Sequence, residues 1–396
     1  MILNSLLRRL LQTFYMRAHS EMKTIAIVYR FLPQYRVEFY EKLRAMLATE
    51  GIDLRLIYGD GDAKDREKGD LVDLDWGIKV ENRIWPVGSR KIYWQPVFKH
   101  LEGAELIIVE QASRLLINYL LLARQQMGGP KIAFWGHGKN FQATDENRLA
   151  EWLKQRYSRF PHWWFAYNHR SARVLDEFGY PPEQITIVEN AIDTSRLRQW
   201  MDSVSEDEKA DIRIKLGLQG NNLGIFVGGL YPEKRLRFLV GAAEKVREVI
   251  KDFELLIVGD GVDRSVAEQA AERHSWVHYR GPVFGREKAV YLSISRVFLM
   301  PGLVGLAVLD AFTAGLPLVT TDIDFHSPEI DYLRHNENGV LSLDDARAYS
   351  DEVIRVINDD GLYARLRSGA IEGSRRYTIG NMVERFGGGI KAALSV

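Results

Sequence analysis

No cysteine occurs among the 396 residues. Its absence excludes a disulfide framework and a thiolate metal site, and it fits a reducing compartment. No apolar run approaches the roughly 20 residues that cross a bilayer. The turn after the first strand pattern, Phe31-Leu32-Pro33-Gln34-Tyr35-Arg36, has proline and glutamine where a dinucleotide-binding G-x-G-x-x-G turn needs glycine. That argues against a nicotinamide enzyme. A Walker loop, a serine nucleophile elbow and a His-Glu-x-x-His metal motif are missing as well. So are internal repeats and low-complexity segments. Net charge is also absent, because 53 basic side chains meet 53 acidic ones. Neither charge nor motif points to nucleic acid.

What is present describes a globular chain with a large core: 46% apolar and 27% charged residues, and length for two or three domains. The zero net charge is split unevenly. Residues 1–200 hold 29 Lys and Arg against 24 Asp and Glu, and the remainder hold 24 against 29. The basic half suits an anionic surface. The first 21 residues are amphipathic and basic but lack the apolar core and small-residue cleavage site of a signal peptide. Three readings stay open for them. One is a membrane-surface helix with Leu6, Leu7, Leu10, Leu11 and Phe14 on one side. The second is a packed or frayed extension. The third is an upstream extension of a frame that starts naturally at Met22.

From Thr24 onward strand and helix patterns alternate. Apolar strand runs are expected at 24–29, 53–58, 105–109, 131–135, 163–167 and 184–188. Helical periodicity lies between them at 37–47, 115–126, 147–159 and 169–178. The charged stretch 59–88 reads as an excursion or a small hairpin. The aromatic clusters Tyr93-Trp94 and Trp163-Trp164-Phe165 read as packing. A charged segment, Asp202 to Lys209, reads as a linker. Six further strands are expected at 223–227, 254–258, 277–279, 297–300, 318–320 and 339–341. Two such series imply two doubly wound parallel sheets, with ligands beyond the carboxyl ends of the strands, in a cleft between domains.

Chemistry-bearing residues cluster at those strand ends. The richest stretch is Pro301 to Thr321, which has a strand before it, a glycine-bearing turn, a helix start with Asp310 one turn inside, and another strand. A helix end bare of bulky side chains presents free N–H groups and a positive dipole, and so suits a phosphate. Gly228-Gly229-Leu230-Tyr231-Pro232-Glu233-Lys234-Arg235 puts small residues and two cations after a strand. It reads equally as a diphosphate site or as an ordinary turn with solvated charges. Gly259-Asp260-Gly261 and Gly281-Pro282-Val283 are glycine turns of low individual weight. His137, between Gly136 and Gly138 at a strand end, favours a functional role over a structural loop histidine. In Phe325-His326-Ser327-Pro328-Glu329-Ile330 the simplest reading is helix capping by Ser327 and Glu329.

Together these segments resemble the retaining nucleotide-sugar glycosyltransferases of glycosyltransferase family 4, which have the two-domain GT-B fold. The likeness is densest over residues 222–345. There G-G-L-x-x-E-K, I-V-G-D-G, Y-x-G-P-V, P-G-L-V-G-L-A-V-L-D-A-F-x-A-G-L-P-L-V-T-T-D, P-E-I-x-x-L and N-G-V-L follow in the family's order. In the first half only the first strand, the Gly-His-Gly turn and Val188-Glu189-Asn190-Ala191-Ile192-Asp193 are similar.

The resemblance implies an α/β chain of two Rossmann-like domains. It places the acceptor-side domain at 22–200, with a crossing helix 377–396, and the donor domain at 201–376. It implies that Lys234 contacts the donor diphosphate, and that Gly305 and Leu306 offer backbone N–H groups to phosphate and sugar. Asp310 would hold the ribose, and Gly281, Pro282 and Val283 would line the base. His137 would sit near the sugar and the departing β-phosphate. Gly228, Gly229 and Gly259 complete the donor site.

The family's first motif acid falls on Gly302, and its diphosphate arginine on Gly229. Arg235 is the expected substitute cation, and Glu329 the expected substitute acid. The implied reaction is metal-independent, cofactor-free transfer with retention, from a nucleotide-diphosphate sugar to a hydroxyl of a glycan or lipid-linked acceptor. Polysaccharide or lipopolysaccharide synthesis in the cytoplasm, with peripheral contact at the inner membrane face through the first half, would accommodate it. The alternatives are a GT-B sugar-nucleotide epimerase and a catalytically impaired sugar-nucleotide-binding protein.

Overall fold

A computed structural model of the protein describes residues 22–67, 71–88, 90–138 and 156–396. The extension 1–21, most of the helix expected at 147–159, and the residues directly after Gly138 lie outside the described residues. The first half runs β1 (Lys23–Tyr29), α1 (Val37–Thr49), β2 (Ile52–Gly59), α2 (Ala63–Glu67), β3 (Ile78–Val80), β4 (Arg83–Val87), β5 (Arg90–Trp94), β6 (Leu106–Glu110), α3 (Leu116–Gln126), β7 (Lys131–Gly136), β8 (Trp163–Ala166), α4 (His169–Glu177) and β9 (Ile185–Ile187). Seven of these strands form one sheet in the order β3-β2-β1-β6-β7-β8-β9, with parallel pairings throughout. β4 and β5 form a separate antiparallel ribbon.

Burial explains the pattern. β1 is central and covered on both faces, so Ile25 to Tyr29 form an unbroken buried run. α1 turns Phe39, Tyr40, Leu43 and Leu47 inward at helical spacing.

The second half begins with two helices, α5 (Ser195–Ser203) and α6 (Glu206–Leu216). It continues with β10 (Asn222–Val227), α7 (Leu236–Val249), β11 (Phe253–Val258), α8 (Arg264–Arg273), β12 (Val277–Arg280), α9 (Gly285–Ser293), β13 (Val297–Leu299), α10 (Ala307–Ala314), β14 (Leu318–Thr321) and β15 (Gly339–Ser342). It closes with α11 (Ala346–Asn358), α12 (Asp360–Arg376) and α13 (Ile379–Ser395). Its six strands form a second all-parallel sheet, β12-β11-β10-β13-β14-β15. α7 covers that sheet with Leu236, Leu239, Ala242, Ala243 and Val246. Each sheet reverses strand order beside its central strand, so both units are doubly wound. Among the described residues no helix is long and apolar enough to cross a membrane.

The chain divides into two compact units. The described residues up to 138, 156–189 and 380–396 form the first, and 190–379 form the second. The changeover falls between Glu189 and Asn190, not at residue 200. Glu189 itself takes a left-handed backbone, φ 51°. Its buried carboxylate stands 2.8 Å from Arg385 and 3.5 Å from His169. α5 belongs with the second unit, where the Arg198 guanidinium donates to Ser374 Oγ.

The linker expected at 202–209 is corrected too. Ser205 and Glu208 form a reciprocal capping box that starts α6, and three acids occupy its first turn, where the helix dipole favours them. Arg286 grips both oxygens of Glu208 at 2.8 Å. The segment lacked apolar periodicity because this helix is largely exposed. The last helix, α13, returns to the first unit. There Phe386 stacks on Phe165 at 4.2 Å and meets Phe39 and Trp135 edge-on, each such pair adding about 0.5–1.5 kcal/mol to area burial.

Candidate active site

Three glycine turns leave the carboxyl ends of β10, β11 and β12 and pack backbone to backbone. Gly228 N–H donates to the Val258 carbonyl at 3.1 Å, and Leu230 N–H to Asp260 at 2.8 Å. Gly259 sits at φ 145°, and a Cβ there would lie 1.9 Å from the Gly228 carbonyl oxygen. Glycine at 259 is therefore fixed by the approach of two turns, with no ligand needed to explain it. Gly281 differs, because a Cβ there would meet nothing within 4 Å. With the exposed Pro282 and the half-buried Val283 it forms an open rim.

Lys234 ends a short 3-10 turn, Pro232–Lys234, after β10. Its Nζ donates to the Leu303 carbonyl at 2.5 Å and lies 3.7 Å from Met300 Sδ. Loss of water around the ammonium lowers its pKa from the ordinary 10.5 to about 8, while Glu233 and Glu329 pull it upward. Arg235, in the left-handed region at φ 59°, is committed elsewhere. It pairs with Asp344 and covers the Phe238 ring at 4.4 Å. The structure thus does not leave it as an open second cation beside Lys234.

The segment Pro301 to Val304 is held at every residue but one. Thr321 Oγ1 donates to the Pro301 carbonyl. Leu303 N–H donates to Glu233 at 2.8 Å, and Val304 accepts from Ser327 N–H at 3.0 Å. The exception, Gly302, is squeezed, since a Cβ there would lie 2.2 Å from the Glu233 carbonyl oxygen and 2.6 Å from the Lys234 Cα. A larger side chain, an acid included, is therefore sterically excluded at this position, because the turn that carries Lys234 occupies its space. Gly229 is crowded more softly, by the exposed Tyr231 ring.

α10 follows, with Leu306 at its cap and no side chain capping it. The N–H groups of its first turn point toward the Gly305–Leu306 end. Asp310 is buried and pairs with Lys288 of α9 at 2.7 Å, so the expected ribose ligand already has a cationic partner.

Glu329 lies buried in the turn Pro328–Tyr332. Asn190 donates to its Oε1 at 2.6 Å, and Tyr332 Oη holds the Asn190 carbonyl at 2.9 Å. Glu329 is also near enough to Lys234 to act on its charge. His326, 3% exposed, joins two loops. Its Nδ1 accepts from Val304 N–H at 3.0 Å, and its Nε2 lies 2.7 Å from the Thr321 carbonyl. Both bonds together require the tautomer with the proton on Nε2.

The second unit thus brings Lys234, Gly305, Leu306 and Glu329 around one loop, with Asp310 one turn further along α10. His137 belongs to the first unit. It follows β7 and stacks on Tyr167 at 4.1 Å, and Tyr167 in turn stacks on Trp135. Arg36 is buried beneath, 4.9 Å from the Trp135 ring and 5.9 Å from Tyr167. Burial works against its charge, but the surrounding tyrosines outweigh that and raise its pKa.

Two residues that brace this loop cluster were not legible as such: His326, inside a segment read as helix capping, and Asn190, inside a segment read only as the domain crossing. Their partners are 139 residues apart in one case and backbone groups in the other. The one available signal was a histidine and an asparagine beside strand ends.

Residues 221–359 match the sequence profile of the family described as Glycosyl transferases group 1. Lys234, Gly302, Gly305, Asp310 and Glu329 all fall inside that stretch. Over 151 residues the chain is 28% identical to the phosphatidyl-myo-inositol mannosyltransferase of Mycobacterium leprae, which takes in 37% of this chain and 40% of that protein. Over 162 residues it is 25% identical to the 2-deoxystreptamine N-acetyl-D-glucosaminyltransferase of Niallia circulans, covering 39% of this chain and 41% of that protein. The chain therefore spans about two fifths of the length of these curated relatives. In three dimensions it resembles Anabaena HepE, solved in complex with UDP, at a TM-score of 0.68 and 15% identity, over 93% of this chain and 100% of that one. The two Rossmann-like bodies are those of the GT-B fold.

Proposed function

We propose that the protein transfers a sugar from a nucleotide-diphosphate sugar to a hydroxyl of a glycan or lipid-linked acceptor, with retention at the anomeric carbon. One observation carries the reading. The Lys234 ammonium is fixed on the Leu303 carbonyl, just before the uncapped start of α10, within the stretch matching Glycosyl transferases group 1. A diphosphate is the ligand that this cation and this helix end would both favour. Charge developing on the departing phosphate would fall on groups already oriented, so the chemistry asks for no bridging metal and no cofactor.

Glu329, held by Asn190, is assigned to the donor sugar in place of the acid that Gly302 has no room for. Asp310 is assigned to the ribose, and Gly281 to Val283 to the base. His137 is assigned to the sugar and the departing phosphate on the strength of the resemblance. Hexosyl transfer in polysaccharide or lipopolysaccharide synthesis, in the cytoplasm and in peripheral contact with the inner membrane face, completes the proposal. The activities named for the mannosyl- and glucosaminyltransferase relatives support transfer as the reaction type.

The test is a thermal-shift panel of UDP-, GDP-, ADP- and dTDP-sugars. A donor at a hundred times its Kd stabilises the site by about 2.7 kcal/mol, or roughly 5–10 °C in a unit of this size. One base should shift the melt, and Lys234→Ala should abolish both the shift and turnover. If no donor moves the melt, or Lys234→Ala turns over like wild type, the proposal is wrong.

A further inference from the structure

We infer that the outer face of the β4–β5 ribbon in the first unit seats on an anionic lipid surface. Between Asn82 and Leu101 the sequence carries Arg83, Arg90, Lys91 and Lys99 and no acid. The ribbon pairs Arg83 with Trp94, Ile84 with Tyr93, Trp85 with Ile92, and Val87 with Arg90. Opposite residues share a face. Ile84 and Tyr93 face inward, Tyr93 as part of the core and Ile84 packed against it. The other face therefore carries Arg83, Trp85, Val87, Ile92 and Trp94. On it Trp85 is 46% and Val87 54% exposed, and Phe98, beside the Trp94 ring, is 37% exposed.

The exposure is not that of a loose tip. The ribbon is moored at its root by polar bonds to the buried Asp62 and to the backbone. Tyr93 Oη donates to Asp62 at 2.8 Å, Lys91 pairs with the same carboxylate at 2.8 Å, and Tyr93 N–H donates to the Arg114 carbonyl at 2.9 Å. A two-stranded ribbon is marginal by itself, so this anchorage is what holds Trp85 and Val87 out in solvent.

Charge identifies the occupant. Arg83 on this face and Lys99, next to Phe98, are exposed, and neither pairs with a carboxylate among the described residues. A second copy meeting the same face would set these cations against one another. A soluble polyanion would answer the charge but leave the indole and valine in water. An anionic bilayer surface answers both, with tryptophan at the headgroup level and cations among the phosphates. The inference gives a location to the membrane contact within the proposed function and rests on that part of it alone. It needs no nucleotide sugar.

The experiment is sedimentation of the full chain with vesicles of phosphatidylglycerol and phosphatidylcholine in equal parts, against phosphatidylcholine alone. Each unpaired cation near an anionic leaflet strengthens partitioning about fivefold, so two give a preference on the order of twenty-five-fold, weakened by salt. Trp85→Ser with Val87→Ser should lose about tenfold or more, and Arg83→Gln about fivefold. Arg273→Gln, on α8 of the second unit, should change nothing. As a check that needs no variant, brominated lipid in the anionic vesicles should quench the protein's tryptophan emission. Equal binding by wild type and the Trp85/Val87 variant would overturn the inference while leaving membrane contact standing. So would absent quenching, or a lipid-free dimer that Trp85→Ser converts to monomer. Sugar transfer by a protein that ignores vesicles would sink this inference and spare the transfer reading.

Discussion

Lys234 gives a prediction with an unusual sign. Its ammonium is held out of water and its pKa has fallen from 10.5 to about 8. At neutral pH the folded chain therefore carries a charge that it would hold less reluctantly when unfolded. The shift of 2.5 units corresponds to about 3 kcal/mol of destabilisation. Replacing Lys234 by Met keeps an unbranched chain of similar length and removes that cost. It also leaves the Leu303 carbonyl without its donor, which costs back about 1–2 kcal/mol. The net is a variant more stable than wild type by about 1–2 kcal/mol at pH 7.

The pH dependence follows. Between pH 8 and 10.5 the unfolded chain binds more protons at this lysine than the folded chain. Wild-type stability should thus rise with pH across that window relative to Lys234→Met. Above pH 10.5 the advantage reverses, because only the orphaned carbonyl remains. The assay is calorimetric melting of both proteins at pH 7 and at pH 10.5, read as the difference in Tm of the second unit. A variant less stable than wild type at pH 7, or a difference that does not change sign, would refute the reasoning. Gain in stability with loss of donor binding would mark Lys234 as a residue kept for function at a cost to the fold.

Gly302→Glu, which supplies the acid that the sequence resemblance implies there, should fail to raise activity. With a Cβ 2.2 Å from the Glu233 oxygen, the turn carrying Lys234 must move. The expected loss is about 3 kcal/mol or more of second-unit stability, together with donor affinity; a well-folded, more active variant would contradict the steric account. His326→Ala leaves the Val304 N–H without its acceptor and takes from the Thr321 carbonyl one of its two donors, the other being Ile323 N–H, a loss of about 1–3 kcal/mol. His326→Gln, which offers one donor and one acceptor, should recover part of it. Equal melting of the Ala and Gln variants would show that the ring's volume matters and its bonds do not.

Much of this molecule could be read along the chain. A strand buried on both faces must be apolar without interruption, so the runs at Ile25 to Tyr29 and at Leu255 to Val258 announce central parallel strands by themselves. Glycine after such a strand marks a turn with equal directness. The capped, acid-rich start of α6 was present in Ser205 and Glu208, yet it read as linker because an exposed helix needs no apolar stripe.

Other features had no local trace. Gly302 looks like a lost acid in sequence and is a filled space in the fold. Arg235 looks like a free cation and is paired with Asp344, and Asp310 looks like a free acid and is paired with Lys288. The bond from Asn190 to Glu329 joins residues 139 positions apart. Sequence by itself determined which residues are apolar, at what period, and where the chain turns, because these are properties of a residue and its near neighbours. Only the tertiary structure decided which charges are already spent, which backbone groups a side chain holds, and how much room a Cβ has. Those depend on what distant segments bring to the same few ångströms.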